Sequence, residues 1–244
     1  MQTTGQTASG VSIQRSGDRM VFDHGWLKTY HSFSFAEYFD PHNLSWGALR
    51  VFNDDTVAPG QGFGTHDHRD MEILTYVLDG ELAHRDSMGN ERVVAPGAVQ
   101  YLSAGTGISH SEYNHSKVDP VHFVQMWVLP RRTGLKPQYG QVDFTAADRR
   151  DRWLTVASGE PGVEAPIAIW QDATAKIARI ESARLTHEIK PGRFGFLFVA
   201  DGTAQLGTDE LVRGDAARIL GPLRISVSGA AELVLWDVPK FGGR

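Results

Sequence analysis

The sequence predicts an all-β protein: two antiparallel jelly-roll β-barrels in tandem. Short apolar runs broken by glycine turn signals recur along the chain, the pattern expected of small β-barrels. The run-and-turn order of the first half returns, weakly, in the second. The chain has 244 residues, enough for one large domain or two small ones with real cores. Composition fits a soluble globular protein, at 41% hydrophobic and 22% charged. The net charge of −5, without a basic block, gives no expectation of nucleic-acid binding. No apolar run is long enough to predict a membrane span. The absence of cysteine excludes disulfides, thiolate ligands and a cysteine nucleophile, and fits the cytoplasm, the expected compartment.

Residues 1–10 are small and polar and read as a disordered tail. Val11-x-Ile13 and Met20-Val21-Phe22 are expected strands. His24 to Asp40 carries Trp26, Tyr30, Phe33, Phe35, Tyr38 and Phe39, assigned to packing against a barrel wall. His24, His31 and His42 have no partner at ligand spacing and are read as structural. Trp46 to Phe52 is a strand, and Asn53 to Gly64, with Pro59 and three glycines, is read as the loop that delivers His66. Met71 to Leu78 is strongly apolar. Asp79-Gly80 and Met88-Gly89-Asn90 are turn signals, read as closing two hairpins, and Pro96-Gly97 opens a strand through Leu102. His84 and His115 are read as exposed hairpin or loop residues. Val121 to Leu129 is an apolar strand. The predicted division is a metal-binding domain over 1–135, a linker over 136–150 and a second barrel without metal over 151–244.

Two clusters sit at predicted strand ends, Thr65-His66-Asp67-His68 and Ser109-His110-Ser111-Glu112. In a strand, side chains i and i+2 share a face, with Cα atoms about 6.5 Å apart, so each pair can reach one ion. His66, His68, His110 and Glu112 are therefore the candidate metal ligands, with Asp67 and Ser111 facing away. Histidine is the commonest metal ligand near neutral pH. A mixed nitrogen and oxygen set admits Fe(II), Mn, Co, Ni, Cu or Zn without choosing among them. One divalent ion per chain is expected, with Fe(II) first.

In the second half, Phe198-Val199-Ala200-Asp201-Gly202 echoes Tyr76 to Gly80, and Val234 to Pro239 echoes Gln125 to Pro130. Ile225 to Gly229 aligns with Ile108 to Glu112, placing Val227 and Gly229 at the second-copy ligand positions. Thr186-His187-Glu188-Ile189 is set against Thr65 to His68. At most one ligand survives there.

The string Gly60-(five residues)-His66-x-His68-(three residues)-Glu72 followed by Gly80 resembles the first cupin motif, and Gly107-xx-His110-xxx-Asn114 the end of the second. Gly62 to His68 and Ser103 to Glu112 resemble the pirin family, especially the bacterial pirin-like quercetin 2,3-dioxygenases. Asp23 to Leu27, Ser32 to Phe35, Leu49 to Asp55 and Asp86 to Asn90 fit the same family. Asp67 departs from it, since pirins usually carry proline there. The resemblance implies a bicupin whose carboxylate ligand is Glu112, with Glu72 left as a supporting or structural partner. It implies a metal-dependent dioxygenase that opens a flavonol such as quercetin with O₂ and releases carbon monoxide, Glu112 also accepting the hydroxyl proton. The expected partners are a flat aromatic substrate and O₂, and the expected state is a monomer. Two other readings stay open: a non-enzymatic metal-dependent redox sensor or transcriptional co-regulator, as animal pirins are described, and an enzyme on another small hydroxylated aromatic.

Overall fold

The structure, a computed structural model, describes residues 10–241. The tail expected over residues 1–10 lies outside it apart from Gly10. The first half contributes β1 (Val11–Gln14), β2 (Met20–Asp23), β3 (Leu27–His31), β4 (Leu49–Val57), β5 (Gly62–His68), β6 (Glu72–Asp79), β7 (Leu82–Asp86), β8 (Glu91–Val94), β9 (Val99–Ser103), β10 (Ile108–Asn114), β11 (Val121–Val128) and β12 (Gln138–Val142). A short helix, α1 (Ala146–Arg149), started by a capping box between Thr145 and Asp148, leads into the second half. There follow β13 (Leu154–Ser158), β14 (Ile167–Ala168), β15 (Thr174–Ile180), β16 (Arg184–Ile189), β17 (Arg193–Leu206), β18 (Asp209–Val212), β19 (Ala216–Leu220) and β20 (Leu223–Pro239). The predicted all-β, two-barrel architecture is what forms.

The first barrel closes a four-stranded sheet, β5-β10-β7-β8, over a seven-stranded one, β12-β9-β6-β11-β4-β3-β2. Leu27, Val57, Val77, Leu82, Val94 and Phe123 from both sheets fill one end. Two sequence expectations need correction. Asp79-Gly80 does not close a hairpin: β6 pairs with β9 and β11, while β7 pairs with β8 and β10, so this turn carries the chain from one sheet to the other. Gly80 is needed there, since its φ is +73° and a Cβ would lie 2.6 Å from the Pro120 carbonyl oxygen. Asn53 to Val57, read as loop, instead continues β4, pairing with β3 on one side and β11 on the other. Its polar residues Asn53, Asp54 and Asp55 are buried, which hid the strand from a hydrophobic pattern.

The second barrel repeats the first with unbroken strands. β17 and β20 run for 14 and 17 residues where the first barrel splits into β6 and β7, and β10 and β11. The bulge of β11 against β6 at His122/Phe123 recurs between β20 and β17 at Val199/Asp201. The barrels also differ from the predicted division at their edges. β12, inside the expected linker, pairs with β9, and β1, assigned to the first domain, pairs with β19 of the second sheet. Each of these added strands covers an edge that would otherwise expose unpaired backbone groups.

The barrels pack back to back. Phe33 and Phe52 of the first meet Phe196 and Phe198 of the second, with ring centroids 4.8–5.4 Å apart. Val124, Met126, Val234 and Trp236 belong to the same buried cluster. In β6 and β11 even-numbered residues such as Leu74, Tyr76, Val124 and Met126 therefore face the partner barrel, and odd-numbered ones such as Ile73, Val77 and Phe123 face their own interior. Glu72 is an even-numbered member. It accepts hydrogen bonds from Trp170 N, Gln171 N and Tyr101 Oη at 2.8–2.9 Å. Its role is the structural one left open by the sequence: it ties the first barrel to a loop of the second. Burial raises its carboxyl above the usual range, and the Trp170 and Tyr101 hydrogen bonds offset only part of that.

Candidate metal centre

The site lies on the inner face of the four-stranded sheet. Alternation along β10 turns Ile108, His110, Glu112 and Asn114 inward and buries all four. In the ladder, His110 is paired with His66 of β5 on one side and with Asp86 of β7 on the other. His68, two residues further along β5 and paired with Ile108, completes the triad. The ring centroids of His66, His68 and His110 are 4.5–4.8 Å apart. Each offers a ring nitrogen, and these nitrogens lie within 4.8 Å of one another. Exposure rises from β10 to β5: His110 is buried, while His66 and His68 are half-buried. A surface pocket of about 340 Å³ lined by Asp67, His68, Arg69, Ser87, Gly107 and Ser109 opens beside His68. Asp67 and Ser109, on the outer face, hydrogen bond to each other there.

Glu112 is placed differently from the histidines. It groups with His84 and His110, whose ligand atoms also lie within 4.8 Å of one another, rather than with His66 and His68. His110 is common to both groups. The facing sheet reaches Glu112 across the barrel: Gln100 Nε2 of β9 donates to Oε1 and Gln125 Nε2 of β11 donates to Oε2, both at 2.8 Å. The glutamines are themselves oriented. Trp127 Nε1, which can only donate, bonds Gln125 Oε1 at 3.2 Å, and Tyr139 Oη bonds Gln100 Oε1 at 3.3 Å. Both amide groups must then turn their N–H toward the carboxylate.

The electrostatics favour neutral His68 and His110 beside an ionised Glu112. Burial, then the neighbouring His110 and His66, pushes His68 down to about 4. Burial likewise lowers His110, against the pull of Glu112. Burial alone would raise Glu112, but His110, His84 and the two glutamine amides outweigh it and hold its carboxyl below the usual range. Asp55, deeper in the same interior, is pushed up to about 7, by burial first and with Asp54 and Glu112 adding to it.

Two atoms test whether a metal fits. His66 Nδ1 lies 2.8 Å from the Gly64 carbonyl oxygen, so it carries the proton and leaves Nε2 bare. His110 Nε2 is buried with no hydrogen-bond partner. A buried nitrogen without a partner is costly, and a cation among neutral imidazoles supplies one. The residues fit a divalent ion.

Sequence reasoning missed Gln100, Gln125, Tyr139 and Trp127, and misplaced His84. His84 is buried, not exposed, and its ring stacks on Tyr139 at 4.5 Å. Period-two alternation in Leu82-Ala83-His84-Arg85-Asp86 puts His84 on the inward face with Leu82, a signal that was available. His115 is exposed, as expected. His31 is buried between Phe22 and Phe35, also as expected of a structural residue.

The second barrel is offset from the expected alignment. β16 pairs Val227 with Leu185 and Ile225 with His187. With Val227 at the His110 position, Leu185 stands for His66 and His187 for His68, two residues away from the predicted match. His187 bonds Asp237 at 3.0 Å. Among the described residues no helix is long and apolar enough to cross a membrane.

Comparison with known proteins agrees with this architecture. The pirin family model matches residues 13–128, and the model described as the quercetinase C-terminal cupin domain matches residues 155–238. The chain is 37% identical over 232 residues to a quercetin 2,3-dioxygenase of Escherichia coli, covering 94% of this chain and 99% of that one. It is 41% identical over 218 residues to a pirin-like protein of Caulobacter vibrioides, covering 88% and 94%. The crystal structure of the bacterial pirin YhhW of Escherichia coli in complex with nickel(II) superposes with a TM-score of 0.87 at 36% identity, covering 94% of this chain and 99% of that one. With both barrels matched and relatives of this identity aligned over nearly their full length, the chain belongs to the pirin family.

Proposed function

We propose that this pirin is a metal-dependent dioxygenase that opens the heterocyclic ring of a flavonol such as quercetin with O₂, releasing carbon monoxide. The observation that carries the reading is the buried His110 Nε2 without a partner, facing two further imidazoles and adjoining the ionised Glu112. A homologue named for this activity supports it. His66, His68 and His110 would hold the ion, with Glu112 the fourth ligand. When bound, such an ion supplies Lewis acidity at a substrate oxygen and a route for electrons between an organic anion and O₂.

The rest is done by the chain. Each Glu112 oxygen accepts one amide hydrogen bond and keeps a further lone pair, so Glu112 can take the proton of the flavonol 3-hydroxyl. Gln100 and Gln125 hold the carboxylate in place while it does so. The half-burial of His66 and His68 gives the cluster its open side. The ring of Trp127 meets His68 edge-on at 4.8 Å and Phe35 at 5.2 Å, an aromatic wall suited to a flat ligand. The test is an oxygen electrode with quercetin and protein loaded with Fe(II), Ni(II) or Mn(II), with released carbon monoxide trapped on reduced myoglobin. Stoichiometric O₂ uptake and carbon monoxide release are expected. A fully loaded protein that produces neither would overturn the reading.

A further inference from the structure

We infer that His84 is a positioning residue that dictates which ring nitrogen His110 presents to the ion, with the Asp86 turn as its anchor. The inference rests on reading the cluster as a metal site, but its evidence is a separate chain of hydrogen bonds. Asp86 Oδ1 accepts from Met88 N at 2.9 Å and Asn90 N at 3.0 Å. Its Oδ2 accepts from Asn90 Nδ2 at 2.8 Å and lies 3.2 Å from His84 Nε2. A carboxylate ringed by N–H donors accepts the fourth contact as well, so His84 Nε2 carries a proton. The other nitrogen of a neutral His84, Nδ1, is then bare. It lies 3.4 Å from His110 Nδ1. That contact is a hydrogen bond only if His110 Nδ1 is the protonated one. His110 Nε2 is thereby left bare, and it is the atom that is buried without a partner. The proton positions thus run one way, from the hairpin turn through two histidines to the metal-facing nitrogen.

Packing supports the assignment. The His84 ring is stacked on Tyr139 with an interplanar angle of 14°, so it cannot swing out of line. The arrangement also explains Asp86 to Asn90, a turn the catalytic reading does not use. His84, His110 and Glu112 form a possible ligand group of their own. Binding an ion there through His110 Nδ1 would leave His110 Nε2 orphaned, which decides against it.

The test separates position from ligation. In metal-free wild type, long-range ¹H–¹⁵N NMR should show His110 as the Nδ1–H form and His84 as the Nε2–H form. Asp86→Asn presents an amide N–H to His84 Nε2 and should reverse both, which puts the His110 proton on the nitrogen the ion needs. His84→Phe keeps a flat ring on Tyr139 but removes the acceptor. Both variants should bind Zn(II), measured by chelator competition, about 10–100-fold more weakly than wild type. Wild-type Zn(II) affinity in both variants, or a wild-type His110 protonated at Nε2, would overturn the inference. So would complete loss of Zn(II) in His84→Phe with retention in His66→Ala, which would make His84 a ligand. A wild type that binds no Zn(II) would remove the metal reading itself, an outcome the NMR measurement tells apart.

Discussion

Glu112→Gln is the substitution that asks most of the site, because the structure makes it far from neutral. Both carboxylate oxygens accept an amide N–H at 2.8 Å; Trp127 Nε1, a donor only, keeps Gln125 from turning over, and Tyr139 Oη donates to the Gln100 amide oxygen. The new amide can satisfy one of those donors with its oxygen, at a loss of about 1 kcal/mol for the missing charge. Its NH₂ then meets the NH₂ of the other glutamine, and that charge-assisted bond, about 1.5–3 kcal/mol, is lost outright. The metal-free variant should therefore be less stable than metal-free wild type by about 2.5–4 kcal/mol at pH 7, read from urea midpoints at constant m value. The sign with pH follows from the lowered Glu112 pKa, below its ordinary 4.5. The carboxylate's contribution is present above that value and disappears as pH falls through the folded-state pKa, so the gap between the proteins should close in acid. Glu112→Gln combined with Gln125→Glu returns a carboxylate to the pair, with its oxygens facing the new amide and Trp127 Nε1. The double variant should regain most of the stability while flavonol-dependent O₂ uptake stays absent. Equal stability of wild type and Glu112→Gln would refute the view that the glutamines hold both oxygens.

Two further outcomes are expected. His66→Ala or His110→Ala should lose most bound metal, measured by mass spectrometry of dialysed protein, with an unchanged far-UV CD spectrum; His187→Ala should keep it, because its register partner is Ile225 and its own bond goes to Asp237. Glu72→Ala strands three donors, Trp170 N, Gln171 N and Tyr101 Oη, and should cost about 3 kcal/mol or more in urea unfolding while leaving metal content alone.

What the sequence discloses is what repeats at short range. His66 and His68, and His110 and Glu112, are legible because a strand returns to the same face every two residues, so local spacing alone places each pair. Gln100 and Gln125 are not, because nothing in Val99-Gln100-Tyr101 or Val124-Gln125-Met126 says that the inward residue faces a carboxylate on another sheet. The Asp79-Gly80 turn was visible as a turn, yet whether it joins two paired strands or two sheets depends on partners far along the chain. Register is the most sensitive case. The echo of Val234 to Pro239 in Gln125 to Pro130 is off by one. With Phe198 at the Tyr76 position, the ladder sets Trp236 opposite Phe196, as Met126 is set opposite Leu74. One residue of slip exchanges faces: Trp236 lies in the contact between barrels, where its indole N–H reaches Met126 Sδ at 3.0 Å, while Trp127 lines the first interior.

Correct register also shows what the fold itself requires. The pairs Val227–Leu206 and Gly229–Ala204 in the second barrel stand where His110–Asp86 and Glu112–His84 stand in the first. By the same alignment, Leu185 replaces His66, Ala217 replaces Gln100 and Leu235 replaces Gln125. All of these except Gly229 belong to one buried apolar cluster. Hydrophobic side chains at these positions thus close the same kind of barrel, with Gly202 at positive φ inside the unbroken β17 and the same bulge at Val199/Asp201. The buried histidines, glutamines and carboxylates of the first barrel are therefore not demanded by its architecture. They carry a desolvation cost that their hydrogen bonds only offset, and apolar groups in their places remove it. Polar groups kept at these positions in one copy and replaced by apolar ones in the other, with only His187 retained and turned to Asp237, mark the first barrel as the one built around a ligand.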